Sequence, residues 1–153
     1  MKIDIAERLS SWGVSQIDPG KSLNLIERYI DSFVDTNSAY YKNTYSQNVQ
    51  GVYLWDTLKA DYKLCKLQGI SFKDVSKSVY FFWEDVVPCL RYDLDIAHIY
   101  NSEIATLLKH IPSLPSDLYI FDDTYSWTFI RTHFEFNEIG DNCKIVDPLK
   151  IIA

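Results

Sequence analysis

The stretch from Asp117 to Phe136 limits what this chain can fold into more than any other. It reads as two β-strands joined at Asp122-Asp123-Thr124-Tyr125-Ser126. Leu118 to Phe121 is apolar, aromatic and partly β-branched. Trp127 to Phe136 alternates: Thr128, Ile130, Thr132, Phe134 and Phe136 fall on one face, and Trp127, Phe129, Arg131, His133 and Glu135 on the other. One face suits a core, and the other ends in charge. A second apolar run, Val79-Tyr80-Phe81-Phe82-Trp83, stops at Glu84-Asp85 and reads as a central strand buried on both faces. After Pro88, Cys89 to Leu94 alternates and is expected to be its hairpin partner. Cys143 to Asp147 reads as a last short strand.

Helices dominate the other half. Residues 2 to 12 carry a stripe of Ile3, Ile5, Ala6, Leu9 and Trp12, with Gly13 as a stop. Lys21 to Val34 is the clearest helix, with Leu23, Ile26, Tyr29, Ile30 and Phe33 on one side and Ser22 or Gly20 as its cap. Residues 35 to 50 are polar and tyrosine-rich, a loop or broken helix. Leu54 to Ala60 is expected to be a short helix. Ile96 to Ile111 reads as a helix at least from Asn101 or Ser102, ended by Pro112. Helices first, then strands with one helix among them, is an α+β pattern. The expectation is N-terminal helices packed on one side of a mostly antiparallel sheet formed by the C-terminal half. At 153 residues without a linker or repeat, residues 1 to 153 make a single domain.

Charge narrows function. From Glu84 to Asp141 there are 11 acids against 3 bases, so nearly all of the net charge of −6 belongs to the strand-rich half. That argues against a phosphate-backbone binder, which needs a basic face. It fits a basic protein partner steered in by charge, or more plainly a solvated acidic surface. Cys65, Cys89 and Cys143 lack metal-type spacing, and with no apolar leader after Met1 they read as free thiols of a cytoplasmic protein. No run approaches the ~18 apolar residues of a membrane span.

No catalytic signature is present. Ser126 sits in no Gly-x-Ser-x-Gly elbow, Cys89 has no nearby His in sequence, and five scattered glycines make no phosphate loop. His133 with a carboxylate, or an acid–base pair drawn from Asp122, Asp123, Glu84 and Asp85, is the hydrolase-like arrangement to weigh against a plain protein-interaction module. With Glu135 and an Asp, His133 would make a metal site, against the plainer reading of an ion-paired strand end. His110, in the last turn of its helix, suits a helix C-terminus electrostatically. Neither a metal nor a cofactor is expected.

The segments Val79-Tyr80-Phe81-Phe82-Trp83-Glu84-Asp85-Val86-Val87-Pro88-Cys89-Leu90, Leu118-Tyr119-Ile120-Phe121-Asp122-Asp123 and Ser126-Trp127-Thr128-Phe129-Ile130-Arg131-Thr132-His133 resemble small bacterial immunity proteins. Those proteins belong to contact-dependent growth inhibition and related polymorphic toxin systems. The resemblance implies a non-enzymatic protein that binds a cognate toxin C-terminal domain, often a nuclease with a basic groove. It brings no shared site residues. The expected partner-binding residues therefore rest on charge and position: Glu84, Asp85, Asp122, Asp123, Tyr125 and Glu135, at strand ends and turns.

Overall fold

Both faces of the Val79–Trp83 run are apolar, and a strand of that kind needs neighbours on each edge and cover above and below. The computed structural model, which describes residues 5–43, 53–75, 77–84 and 99–152, supplies both. Seven strands form one antiparallel sheet: β1 (Ser15–Gln16), β2 (Lys63–Cys65), β3 (Ser78–Trp83), β4 (Tyr100–Glu103), β5 (Leu118–Phe121), β6 (Thr128–Arg131) and β7 (Cys143–Val146). Their spatial order is β1-β4-β3-β5-β6-β7-β2. The central hairpin pairs Phe121 with Thr128 and Leu118 with Arg131, and β3 flanks it with Phe81 opposite Ile120.

The strands alternate between two cores. Val79, Phe81, Trp83, Leu118, Ile120 and Phe129 belong to one. Phe82, Tyr119, Phe121 and Ile130 belong to the other. The first is covered by α1 (Ile5–Ser11), through Ile5 and Leu9, and by α4 (Ile104–His110), through Ile104 and Leu107. The second is covered by α2 (Pro19–Phe33), through Leu25, Tyr29 and Phe33, and by the 3-10 turn Leu54–Thr57. The α+β class and the C-terminal antiparallel sheet are as expected. The helices, however, flank both faces rather than one, because the strands bury aromatic side chains in both directions.

Helix α2 begins two residues earlier than its apolar pattern does. Pro19 takes the first turn, and Asp18 is the cap, its side chain accepting from the Lys21 amide at 3.0 Å. Ser22 lies buried instead, its hydroxyl accepting from the Ile99 amide at 2.9 Å. The buried face is Ser22, Leu25, Tyr29 and Phe33, and Leu23 is left exposed. Tyr29 is fully buried, within ring distance of Phe33, Phe82, Tyr119 and Phe121. Its hydroxyl bonds the Thr128 hydroxyl at 2.8 Å, and Thr128 in turn donates to the Ile120 carbonyl.

Other elements depart from their local patterns. Tyr100–Glu103 is strand β4, not the start of a helix, because pairing with β3 and β1 takes up its backbone. Leu54–Thr57 is a single 3-10 turn, and Lys63–Cys65 becomes the edge strand beside β7. In the polar stretch 35 to 50, Ala39–Asn43 forms a short helix, α3, and 44 to 50 lie outside the described residues. Cys89 to Leu94 also lies outside them. No described helix is long and apolar enough to cross a membrane. His110 stacks on Trp12 at 3.7 Å, and burial together with Lys109 pushes its pKa down, which works against the charged helix-end role expected for it.

Three substitutions at two positions test these packing assignments by urea unfolding. Asp18→Ala is expected to cost about 1 kcal/mol as a lost cap. Tyr29→Phe is expected to cost about 1 kcal/mol, because Thr128 keeps its bond to Ile120, whereas Tyr29→Ala costs roughly 4 kcal/mol through its cavity.

Candidate functional site

Strand alternation decides where the predicted carboxylates go. Glu84 continues the Tyr80 and Phe82 side of β3 and runs beneath the Leu54–Thr57 turn. It is only 4% exposed. Its carboxylate accepts from the Leu54 amide at 2.5 Å and from the Tyr119 hydroxyl at 3.1 Å, and that hydroxyl accepts from the Trp55 amide. Asp122 is 1% exposed and opens the β5–β6 turn, accepting from the Thr124 amide at 2.9 Å and from Lys77 Nζ at 3.1 Å. Burial pushes its pKa up, but the bonds from Thr124 and Lys77 outweigh that and hold it below the usual carboxylate range. The expectation of exposed docking carboxylates is therefore corrected at Glu84 and Asp122: both are internal acceptors.

The remaining candidates separate. Asp123 is exposed at the tip of that turn. Tyr125, at φ 52°, is half-buried, packed on Phe121 with the Arg28 guanidinium 4.3 Å over its ring. Glu135 is exposed at the opposite end of the hairpin. Asp85 lies outside the described residues. The six do not form one patch.

The acid that meets His133 is Asp117, not Asp122 or Asp123. Asp117 Oδ1 lies 2.7 Å from His133 Nδ1 and accepts from the His133 amide at 3.1 Å. Asp117 is 2% exposed and adopts φ 65°, an uncommon backbone for a residue other than glycine. The His133 ring sits against Tyr53, Trp55 and Phe134. The hairpin register pointed here: with Leu118 opposite Arg131, Asp117 falls beside Thr132 and His133.

The end of the sheet that carries His133 is shaped by a tied loop, residues 132 to 142. The Thr132 amide and hydroxyl both donate to the Asn142 carbonyl, closing its base. The Phe136 amide donates to the Asp141 carbonyl, and the Asn137 and Asp141 side chains bond across the tip. Gly140, at φ 84°, lets the chain reverse there. Held in this way, Phe134 is 48% and Ile139 66% exposed, with Glu135 and Glu138 exposed beside them in sequence.

The bases on either side of the loop turn inward. Arg131 donates to the Ile111 and Leu114 carbonyls at 2.8 and 2.9 Å. Lys144 is buried, donates to the Trp55 carbonyl at 3.1 Å, and lies against the Tyr62 and Phe136 rings. Burial pulls its pKa down. Lys66 is an exposed base that packs near Gly140. The loop itself presents acids and apolar side chains but no Lys or Arg.

Among the described residues, no group of three or more His, Cys, Asp or Glu is placed to hold a metal ion. A cavity of about 490 Å³ lies beside the β2 edge, lined in part by Tyr62, Lys63, Ile145 and Pro148, and includes none of the residues predicted for the site. The chain matches no family model, no curated protein and no solved structure.

Two of the buried carboxylates, Glu84 and Asp122, have distinct signatures. Glu84→Leu strands a buried amide and hydroxyl and is expected to destabilise by roughly 2–4 kcal/mol in urea, with Glu84→Gln costing clearly less. Because the folded pKa of Asp122 is lowered, its stabilisation is complete above about pH 4 and fades as pH falls through the folded value. Asp122→Asn should therefore flatten the acid limb of a urea-midpoint profile taken from about pH 5 to 2.

Proposed function

We propose that this protein is a cytoplasmic immunity-type inhibitor that binds a basic toxin domain and blocks it, the domain being of the nuclease class. The observation that carries the reading is the tied loop 132–142. It holds Phe134 and Ile139 outward as apolar anchors, with Glu135 and Glu138 close by in sequence, while Arg131 and Lys144 are committed to internal carbonyls. Apolar anchors bordered by carboxylates suit a cationic protein surface: the anchors supply affinity, and the charges supply orientation and encounter rate. A loop already held by its own hydrogen bonds loses little freedom on docking. The aromatic strands with acidic ends that resemble immunity proteins support the same reading. The docking face is centred on Glu135 and leaves Asp123 and Tyr125 outside it.

A second reading has one specific observation in its favour. The 2.7 Å contact between Asp117 and His133 Nδ1 would orient a general base in a small hydrolase-type enzyme. The same carboxyl oxygen also holds the His133 amide, which makes the pair equally a clamp on the strand end.

Co-expression with the C-terminal domains of secreted proteins encoded next to this chain's gene, each assayed for toxicity on its own first, decides between them. The first reading expects protection of the cells, with association slowed roughly tenfold by Glu135→Lys with Glu138→Lys and slowed further by salt. Phe134→Ala should speed dissociation. A hydrolytic activity lost on His133→Ala, with no protection of cells by the wild-type chain, would instead establish the second.

A further inference from the structure

Cys65 and Cys143 stand opposite one another in the register of β2 and β7. Directly opposed residues of an antiparallel pair send their side chains to the same face, with Cα atoms roughly 4.5–5.5 Å apart. A disulfide spans that distance. Both side chains lie on the α1 and α4 face: Cys143 is fully buried in that core, and Cys65 packs against it half-buried. Both are free thiols, and the Cys143 thiol donates to the Asn142 side-chain oxygen at 3.4 Å.

We propose that Cys65 and Cys143 are an oxidisable dithiol, which a hydroperoxide or a low-molecular-weight disulfide converts into a cross-strand disulfide fastening β2 to β7. The two sulfurs have different parts. The neighbouring Cys143 pulls the Cys65 pKa down, while the neighbouring Cys65 and burial push the Cys143 thiol up. The half-buried Cys65 is therefore the attacking thiolate and Cys143 the resolving thiol. With hydrogen peroxide, the Cys65 sulfur takes one oxygen to become a sulfenic acid, and the other oxygen leaves as water after gaining a proton. The Cys143 sulfur then displaces the sulfenic hydroxyl, which departs as a second water with the Cys143 proton. Two thiols lose two protons and two electrons, and one peroxide becomes two waters. With a small disulfide, two exchange steps give the same bond and release two small thiols.

Its position gives the bond an effect. β2 is a three-residue edge strand paired only with β7, the sort of element that opens first. Asn142, which closes the loop 132–142, is also fixed to this strand and its exit: its amide donates to the Cys65 carbonyl, and its side chain accepts from the Leu67 amide. A disulfide here locks the base of that loop to the sheet edge. The inference stands apart from the proposed function and holds whatever the protein binds.

Peptide mapping of the full chain tests it. The wild-type protein is treated with hydrogen peroxide or glutathione disulfide, blocked with iodoacetamide and digested with trypsin without reduction. The expected product joins Leu64–Lys66 to Thr132–Lys144, disappears with dithiothreitol, and is absent from Cys65→Ser. Oxidised protein should melt roughly 10 °C higher than reduced protein. Recovery of Cys65 and Cys143 both alkylated after oxidant treatment, or either of them joined to Cys89 instead, would overturn the proposal.

Discussion

The structure depends on a sheet that is apolar on both faces. Val79, Phe81, Leu118, Ile120 and Phe129 point one way, and Phe82, Tyr119, Phe121 and Ile130 the other. Neither set tolerates water, so a single helical layer would leave half the aromatic surface bare. This requirement accounts for the division of the helices, with α1 and α4 on one side and α2 with the Leu54–Thr57 turn on the other. The long apolar face of α2 meets Phe82, Tyr119 and Phe121 at Tyr29, which carries its one polar atom to Thr128.

Covering both faces also determines the fate of polar groups at the strand ends. A carboxylate one or two residues beyond a central strand is still under the covering layer, and it is retained only where donors reach it. Glu84 has the Leu54 amide and the Tyr119 hydroxyl, Asp122 has Thr124 and Lys77, and Asp117 has His133. Acidity reaches solvent farther from the covered strand ends, at Asp123 on the tip of the β5–β6 turn and along the loop of residues 132 to 142. That loop holds no Lys or Arg, and Arg131 and Lys144 at its ends turn inward.

Much of the fold was legible locally. The Val79–Trp83 run, the Leu118–Phe121 strand and the body of α2 follow from apolar periodicity, and the structure places strands or a helix at each; the strand expected from Trp127 to Phe136 spans only Thr128–Arg131, because the chain after it is tied back on itself as a loop. The misreadings fall where a non-local partner outweighed a local pattern. Tyr100 to Glu103 carried the helical stripe of α4 backwards, yet pairing with β3 made it a strand. Lys63 to Cys65 has no strand pattern of its own and is a strand because β7 offers it an edge. At the site, the hairpin register held enough to pair Asp117 with His133, but the burial of Glu84 depends on a turn thirty residues earlier in the chain.

The order of residues by itself determined an α+β class, a doubly apolar central strand and an excess of carboxylates in the second half, because these follow from periodicity and composition within short windows. Tertiary structure alone decided which carboxylates face solvent, which base turns inward and which cysteines meet. Each of those depends on contacts between segments far apart in the chain, and a window of neighbouring residues holds no record of them.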